Sequence, residues 1–429
     1  MLQPTPLNLR LLAIGLPLSL LPAILDVRLW PVWVVAVGIW ALLTGLDAIL
    51  LPRTSELRWS LTLPPSLYIG REQPAVLQVD GVADGRAEAM LDLSEEAAPT
   101  EPTAFLGSTS TLTLRPTRRG TLTISQAWVR RTGPLGLMRR ISTLPIDREL
   151  VVVPDAPRVQ AEALRFFGGR SHTGVKVEKF VGDGSEFDSL REFLPGMDRR
   201  TIDWKASARH VRLLAREHRA ERNHQIIIAA DTGRLMAEPL DGIPRLDHAV
   251  HAALLMAWVS LRHGDRVGLF AFDDAPRGFA LPRSGRAAFG GLLSLCAGLA
   301  YREAETNFTL GLTDLMTRLR RRSLVVVLTD FADTVTAELM VDNLGRLARR
   351  HLVIFVALSD PLLLRLASGE LGEMADVERA VVAESLLSDR EVVLARLRRM
   401  GVLVVDAPPG RVGPALVNRY LDIARRERI

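Results

Sequence analysis

From residue 224 onward the chain alternates continuous apolar runs with amphipathic stretches, and this constrains its fold more than any other feature. "QIIIAAD" (Gln225–Asp231), "RVGLFAFDD" (Arg266–Asp274), "SLVVVLTD" (Ser323–Asp330), "HLVIFVALSD" (His351–Asp360) and "VLVVDAP" (Val402–Pro408) have strand length and lack an inside–outside alternation. Segments with helical periodicity separate them, ending in "PALVNRYLDIARR". Uniformly apolar strands alternating with helices predict a parallel sheet covered by helices on both faces, an α/β domain over residues 224–429.

The N-terminus obeys different rules. Leu11–Leu25 and Leu29–Leu46 carry no charge and are separated by "DVR". At 1.5 Å per residue the runs are roughly 22 Å and roughly 27 Å long, close to bilayer thickness once a few flanking residues are added. A signal peptide would show one apolar run, then polar sequence. Two in succession predict a transmembrane helical hairpin within residues 1–52, with Trp30 and Trp33 placed to sit near an interface. Arg10, Arg53 and Arg58 flank the pair, against Arg28 beside Asp26 in the connection. Positive-inside counting puts both ends and the bulk of the chain in the cytoplasm, on an inner membrane.

Between these regions, residues 53–156 read as short alternating or β-branched strands such as "AVLQVDG", "TLTLRP" and "GTLTISQAWVRR", a small antiparallel β-sandwich-like domain. "RAEAMLDLSEEA" is its one weak helical pattern, and "RRTGPLGLMRR" (Arg130–Arg140) reads as a solvated basic turn. Residues 157–223 have neither period and contain a stretch dense in both charges, "GDGSEFDSLREFLPGMDRRTIDWKASAR" (Gly182–Arg209).

Composition removes several functions. The net charge is +5, from 54 Lys and Arg against 49 Asp and Glu, too small at 429 residues to indicate nucleic-acid binding. The single cysteine, Cys296, forms no internal disulfide and sits in the apolar "GLLSLCAGLA", a core setting. There is no P-loop, H-E-x-x-H or G-x-S-x-G, "GDG" lacks a dinucleotide-binding spacing, and no small-molecule substrate is evident.

Functional groups in an open α/β sheet gather at the carboxyl ends of the strands, where Asp231, Asp330 and Asp360 fall. Paired carboxylates there suit either a divalent cation such as Mg²⁺ or the capping of following helices. "IDWK" also holds a D-x-K, a pattern some metal-dependent nucleases use around residues equivalent to Asp203 and Lys205.

The charged stretch closely resembles the signature of the bacterial "domain of unknown function fifty-eight" family, with Gly184, Glu186, Phe187, Arg191, Pro195, Gly196, Asp198, Arg200, Asp203, Trp204, Lys205 and Arg209 in its order. "RGTLTISQAWVRRTGPLGLMRR", "DTGRLM" and "SLVVVLTDFAD" are similar to other parts of that family, so the resemblance spans nearly the whole chain. It implies a von Willebrand factor A-like C-terminal domain and association with a MoxR-type AAA+ ATPase. The related A domains hold a metal through D-x-S-x-S, a threonine and a later aspartate. Carried over, these are Asp231, Thr306 and Asp330, but the two serine positions are Gly233 and Leu235. The resemblance thus implies a non-enzymatic, membrane-anchored adaptor; the alternatives are a Mg²⁺- or Mn²⁺-dependent ligand-binding A domain and a metal-dependent hydrolase. Within the signature, Arg191, Arg200 and Lys205 are expected to pair with Glu186, Asp198 and Asp203. Phe187, Phe193, Ile202 and Trp204 are expected as apolar anchors beneath a clamp that docks domains or meets a partner.

Overall fold

The computed structural model describes the chain except for residues 27, 29, 52–57, 81–85, 169–180, 195–198, 211, 220–223, 332–333, 335, 370–373 and 427–429. It divides into two compact units, Met1–Val153 and Pro154–Ile429.

The first unit begins with a short strand β1 (Leu2–Pro4) and two helices, α1 (Pro6–Leu25) and α2 (Trp30–Ile49), which pack against each other. Where two spans were expected, one helix among the described residues, α2, qualifies by length and apolarity to cross a membrane. The strands that follow are β2 (Trp59–Thr62), β3 (Leu67–Tyr68), β4 (Gln73–Val79), β5 (Ala87–Leu93), β6 (Thr103–Ala104), β7 (Thr109–Leu114), β8 (Gly120–Thr132) and β9 (Met138–Val153). They form two sheets, β1-β9-β8-β5-β6 with β3 beside β9, and β2-β4-β7. Alternate side chains point inward, so Leu77, Leu112 and Leu114 of one sheet meet Leu91, Leu122 and Ile124 of the other in one core. Each such fully buried side chain stabilises the unit by about 1.5–3 kcal/mol.

The helical pattern read in "RAEAMLDLSEEA" is overturned, because its first part is strand β5. Ala87, Ala89 and Leu91 alternate into the core while β8 and β6 pair on either side, and this tertiary pairing overrides helix-favouring composition.

The second unit contains α3 (Ala156–Gly168), β10 (Val181–Glu192), α4 (Trp204–His210), β11 (Leu214–Arg219), β12 (Gln225–Asp231), α5 (Arg234–Ala237), β13 (Pro239–Leu240), β14 (Ile243–Pro244) and α6 (Arg245–Arg262). It continues with β15 (Arg266–Phe272), β16 (Pro276–Arg283), α7 (Arg286–Ala297), α8 (Phe308–Arg318), β17 (Leu324–Leu328), α9 (Thr336–Ala348) and β18 (Leu352–Leu358). α10 (Pro361–Ser368), α11 (Met374–Arg399), β19 (Leu403–Ala407) and α12 (Pro409–Arg425) complete it.

The main sheet runs β16-β15-β12-β17-β18-β19. Its five neighbouring strands from β15 to β19 are parallel, but the edge strand β16 is antiparallel to β15, so the sheet is mixed rather than wholly parallel. The cause is the connection: only Asp273–Ala275 separates β15 from β16, which suits a hairpin and is far too short for a crossover. Both faces are buried. Ile226 and Ile228 face a core shared with α6, α7 and α12, and Ile227 and Ala229 face one shared with α8, α9 and α11. Cys296 is buried in the first of these cores.

The stretch that showed no period includes a pair of strands among its described residues. β10, which carries Gly184, Glu186 and Phe187, pairs antiparallel with β11, with Phe187 opposite His218 and Arg191 opposite Ala215.

Candidate functional site

The carboxyl ends of β12, β15 and β17 meet in the middle of the sheet and bring together threonines and aspartates. Asp231 ends β12 and is 2% exposed. Its Oδ1 accepts the Gly233 amide at 2.8 Å and the Thr306 hydroxyl at 2.7 Å, and its Oδ2 accepts the Thr329 hydroxyl at 2.6 Å. Burial pushes the Asp231 carboxyl up to about 6, against the pull of the bonds from Thr329, Gly233 and Thr306. Asp273 adds to the upward push.

Thr232 turns the other way and donates to Asp273 Oδ2 at 3.0 Å. Asp273 is fully buried after β15 and accepts the Arg277 guanidinium at 2.6 Å. Burial acts to raise its carboxyl. Its interaction with the Asp274 side chain, together with donation by the Ala275 amide, Arg277 and Thr232, outweighs that and holds it below the usual carboxylate range.

Asp330 follows Thr329 at the end of β17, and two arginines take its oxygens. Arg245 Nη1, from the start of α6, donates to Oδ2 at 2.9 Å; Arg390 Nη1, from α11, donates to Oδ1 at 2.8 Å. Arg390 also reaches the Leu358 carbonyl and Asp406 Oδ1, each at 3.1 Å, and lies over the Phe331 ring. One guanidinium thereby ties together the ends of β17, β18 and β19.

The structure thus joins Asp231 directly to Thr306 and places Asp330 next to Thr329, which bonds Asp231. Asp360 stands apart as the N-cap of α10, accepting the Leu362 amide at 2.8 Å. Gly233 lies so near Thr306 that a Cβ there would overlap the Thr306 hydroxyl. Thr329, Asp273, Arg245 and Arg390 escaped the sequence reading. Thr329 adjoins Asp330 in "LTD" and could have been noticed; Arg390 lies in a helix dense with charge and gave no signal.

In the charged signature, Asp203 caps α4 by accepting the Ala206 amide at 3.0 Å. Trp204, expected as a buried anchor, is instead 69% exposed at the first position of that helix. Lys205 and Arg209 are exposed, while Phe193 and Ile202 are half-buried. Gly184, Glu186, Phe187, Arg191 and Arg200 are described by backbone alone, and Pro195, Gly196 and Asp198 lie outside the described residues.

In the first unit the basic turn is not simply solvated. Asp47 of α2 is fully buried and accepts the amides of Leu135, Leu137 and Met138 at 2.7, 2.8 and 2.7 Å. Gly133 packs against that carboxylate so closely that a Cβ would overlap it. Thr5 donates to the Gly136 carbonyl at 2.6 Å, and Trp40 donates to Asn8 at 2.9 Å. Both helices are therefore fastened at one end to the β8–β9 turn.

Residues 189–396, a little under half of the chain, match the family described as "Protein of unknown function DUF58". That segment is similar to the DUF58 family. The DUF58 match takes in Asp231, Thr306, Asp330, Arg245 and Arg390 together. The "Uncharacterized protein Rv1480" of Mycobacterium tuberculosis and the "Uncharacterized protein Mb1516" of Mycobacterium bovis are each 26% identical over 217 residues, 50% of this chain. The chain spans 63% of the length of these curated relatives. Among solved structures, the conserved hypothetical protein BatB from Bacteroides thetaiotaomicron is 15% identical, with 47% of this chain and 100% of that one covered and a TM-score of 0.31. An uncharacterized membrane spanning protein from Vibrio fischeri is 16% identical, with 48% and 100% covered and a TM-score of 0.18. Likeness this low carries no argument about fold or role.

Proposed function

We propose that this protein is a non-enzymatic adaptor, anchored in the inner membrane by α1 and α2, that works with a MoxR-type AAA+ ATPase in assembling or maturing other complexes. The observation that carries the reading is Trp204. An indole 69% exposed, beside the exposed Lys205 and within the family-matched segment, is the kind of side chain that anchors protein interfaces. At the strand ends, by contrast, Asp231, Asp273 and Asp330 are each held by hydroxyl, amide or guanidinium donors. In this reading the ATPase supplies the energy and the second unit, taken as von Willebrand factor A-like, supplies the surface.

The orientation draws on residues near the helix ends. Arg140 donates to the Leu51 carbonyl just after α2, and Arg139 donates to Gln3 just before α1. Together with Arg10 they concentrate positive charge where the helices meet the β domain, which by the positive-inside tendency belongs in the cytoplasm. The test is crosslinking in native membranes followed by mass spectrometry, with Trp204→Ala beside the wild type. An AAA+ ATPase recovered from the wild type and lost from a folded variant supports the reading; no ATPase from either refutes it.

A metal-dependent A domain is the second reading, favoured by the contact between Asp231 and Thr306. The donor set at Asp330 opposes it.

A further inference from the structure

We infer that this site is closed by its own arginines: Arg245 and Arg390 occupy the position of a cation at Asp330, and the domain works without a divalent metal. The inference is independent of the adaptor reading and would hold for any partner.

The argument starts from the oxygens. A Mg²⁺ or Mn²⁺ ion needs about six oxygen ligands with lone pairs converging on one point. The related motif would provide two hydroxyls at positions 233 and 235, and here these are glycine and leucine. The loss is not open space that water can fill. The Thr306 hydroxyl stands where a Cβ on residue 233 would be, and the Ala304 carbonyl is 3.1 Å from the same point. Thr306 crowds that position and donates its proton to Asp231 Oδ1.

The charges lead to the same conclusion. Each oxygen of Asp330 accepts one guanidinium N–H, from Arg245 on one side and Arg390 on the other. The Asp330 side chain is 3% exposed and both arginines are 15% exposed, so solvent screens the arrangement weakly. A divalent ion would have to displace two positive groups that are already hydrogen-bonded, and would be repelled by both at short range. The arginines supply the positive charge that a buried carboxylate requires. They come from helices on opposite faces of the sheet, α6 and α11, so the closure also fastens those helices to the strand end.

The experiment uses the detergent-solubilised full chain. Thermal unfolding is followed in chelator and in millimolar Mn²⁺, for the wild type, Asp231→Asn and Asp330→Asn. The expected result is the same midpoint with and without Mn²⁺ in the wild type. A rise that persists unchanged in both variants arises elsewhere on the chain and leaves the inference standing. A rise that either substitution abolishes overturns it. A second measurement tests the arginine role directly, by comparing Arg245→Gln, Asp330→Asn and the double variant. If Arg245 serves as the counter-charge of Asp330, the double variant unfolds no lower than the weaker single one. Additive losses would mean that Arg245 acts through other contacts and would overturn the assignment.

Discussion

Arg390, in α11, donates to Asp330, at the end of β17, at 2.8 Å, and so links a 26-residue surface helix to the centre of the main sheet. Removing Arg390 leaves Asp330 with Arg245 alone and takes the donor from the Leu358 carbonyl and Asp406, a loss of charge-assisted bonding that costs about 1.5–3 kcal/mol. Arg390→Ala is therefore expected to lower the stability of the second unit by that order. Amide exchange in α11 should accelerate well beyond the exchange in β12. Unchanged exchange in α11 would show that the helix is held by its apolar contacts alone.

Asp231 predicts a pH dependence with a definite sign. Its folded value, about 6, lies above its ordinary 3.8, so the folded protein binds this proton more tightly than the unfolded chain does. The contribution to stability is greatest below the ordinary value and is lost as pH rises to the folded one, a total of about 3 kcal/mol. Between roughly pH 4 and 6, the stability difference between wild type and Asp231→Asn should shift against the wild type as pH rises, then level off. A difference that is flat with pH would refute the assignment.

Gly233→Ser restores a hydroxyl of the metal motif on paper. In this structure the new Cβ meets the Thr306 hydroxyl, so the expected result is overpacking and a loss of about 1–3 kcal/mol, with no gain of metal response. Denaturant unfolding with and without Mn²⁺ reads both.

Asp47→Ala strips a buried acceptor from three amides in the β8–β9 turn. Each donor left unpaired costs about 1–3 kcal/mol unless water reaches it. The first unit should melt at a lower temperature, and proteolysis of the full chain should open at Gly133–Gly136. Asp47→Asn, which keeps one acceptor oxygen, should lie between the two.

The main sheet was legible because strands buried on both faces leave continuous apolar runs, as in "QIIIAAD" and "SLVVVLTD". The direction of β16 was not, since it depends on how few residues separate it from β15. β5 was hidden by alanine, glutamate and methionine, whose helical preference yields to pairing on both edges. Asp231 and Asp330 stood out as carboxylates ending apolar runs, and Thr306 was named through the family resemblance. The arginines that complete the site are contributed by segments 85 and 60 residues from Asp330, and no local pattern announces a contact made only by folding. Asp47 was passed over because one charge at the end of an apolar run looks like a boundary, whereas its meaning lies in the turn it reaches.

That turn gives α2 a mechanical role. A carboxylate gripped by three amides fixes the rotational setting of the helix about its own axis, and β8 and β9 continue from the grip into the interior of their six-stranded sheet. Torque on the helix would therefore be delivered to that sheet rather than dissipated in a swivel.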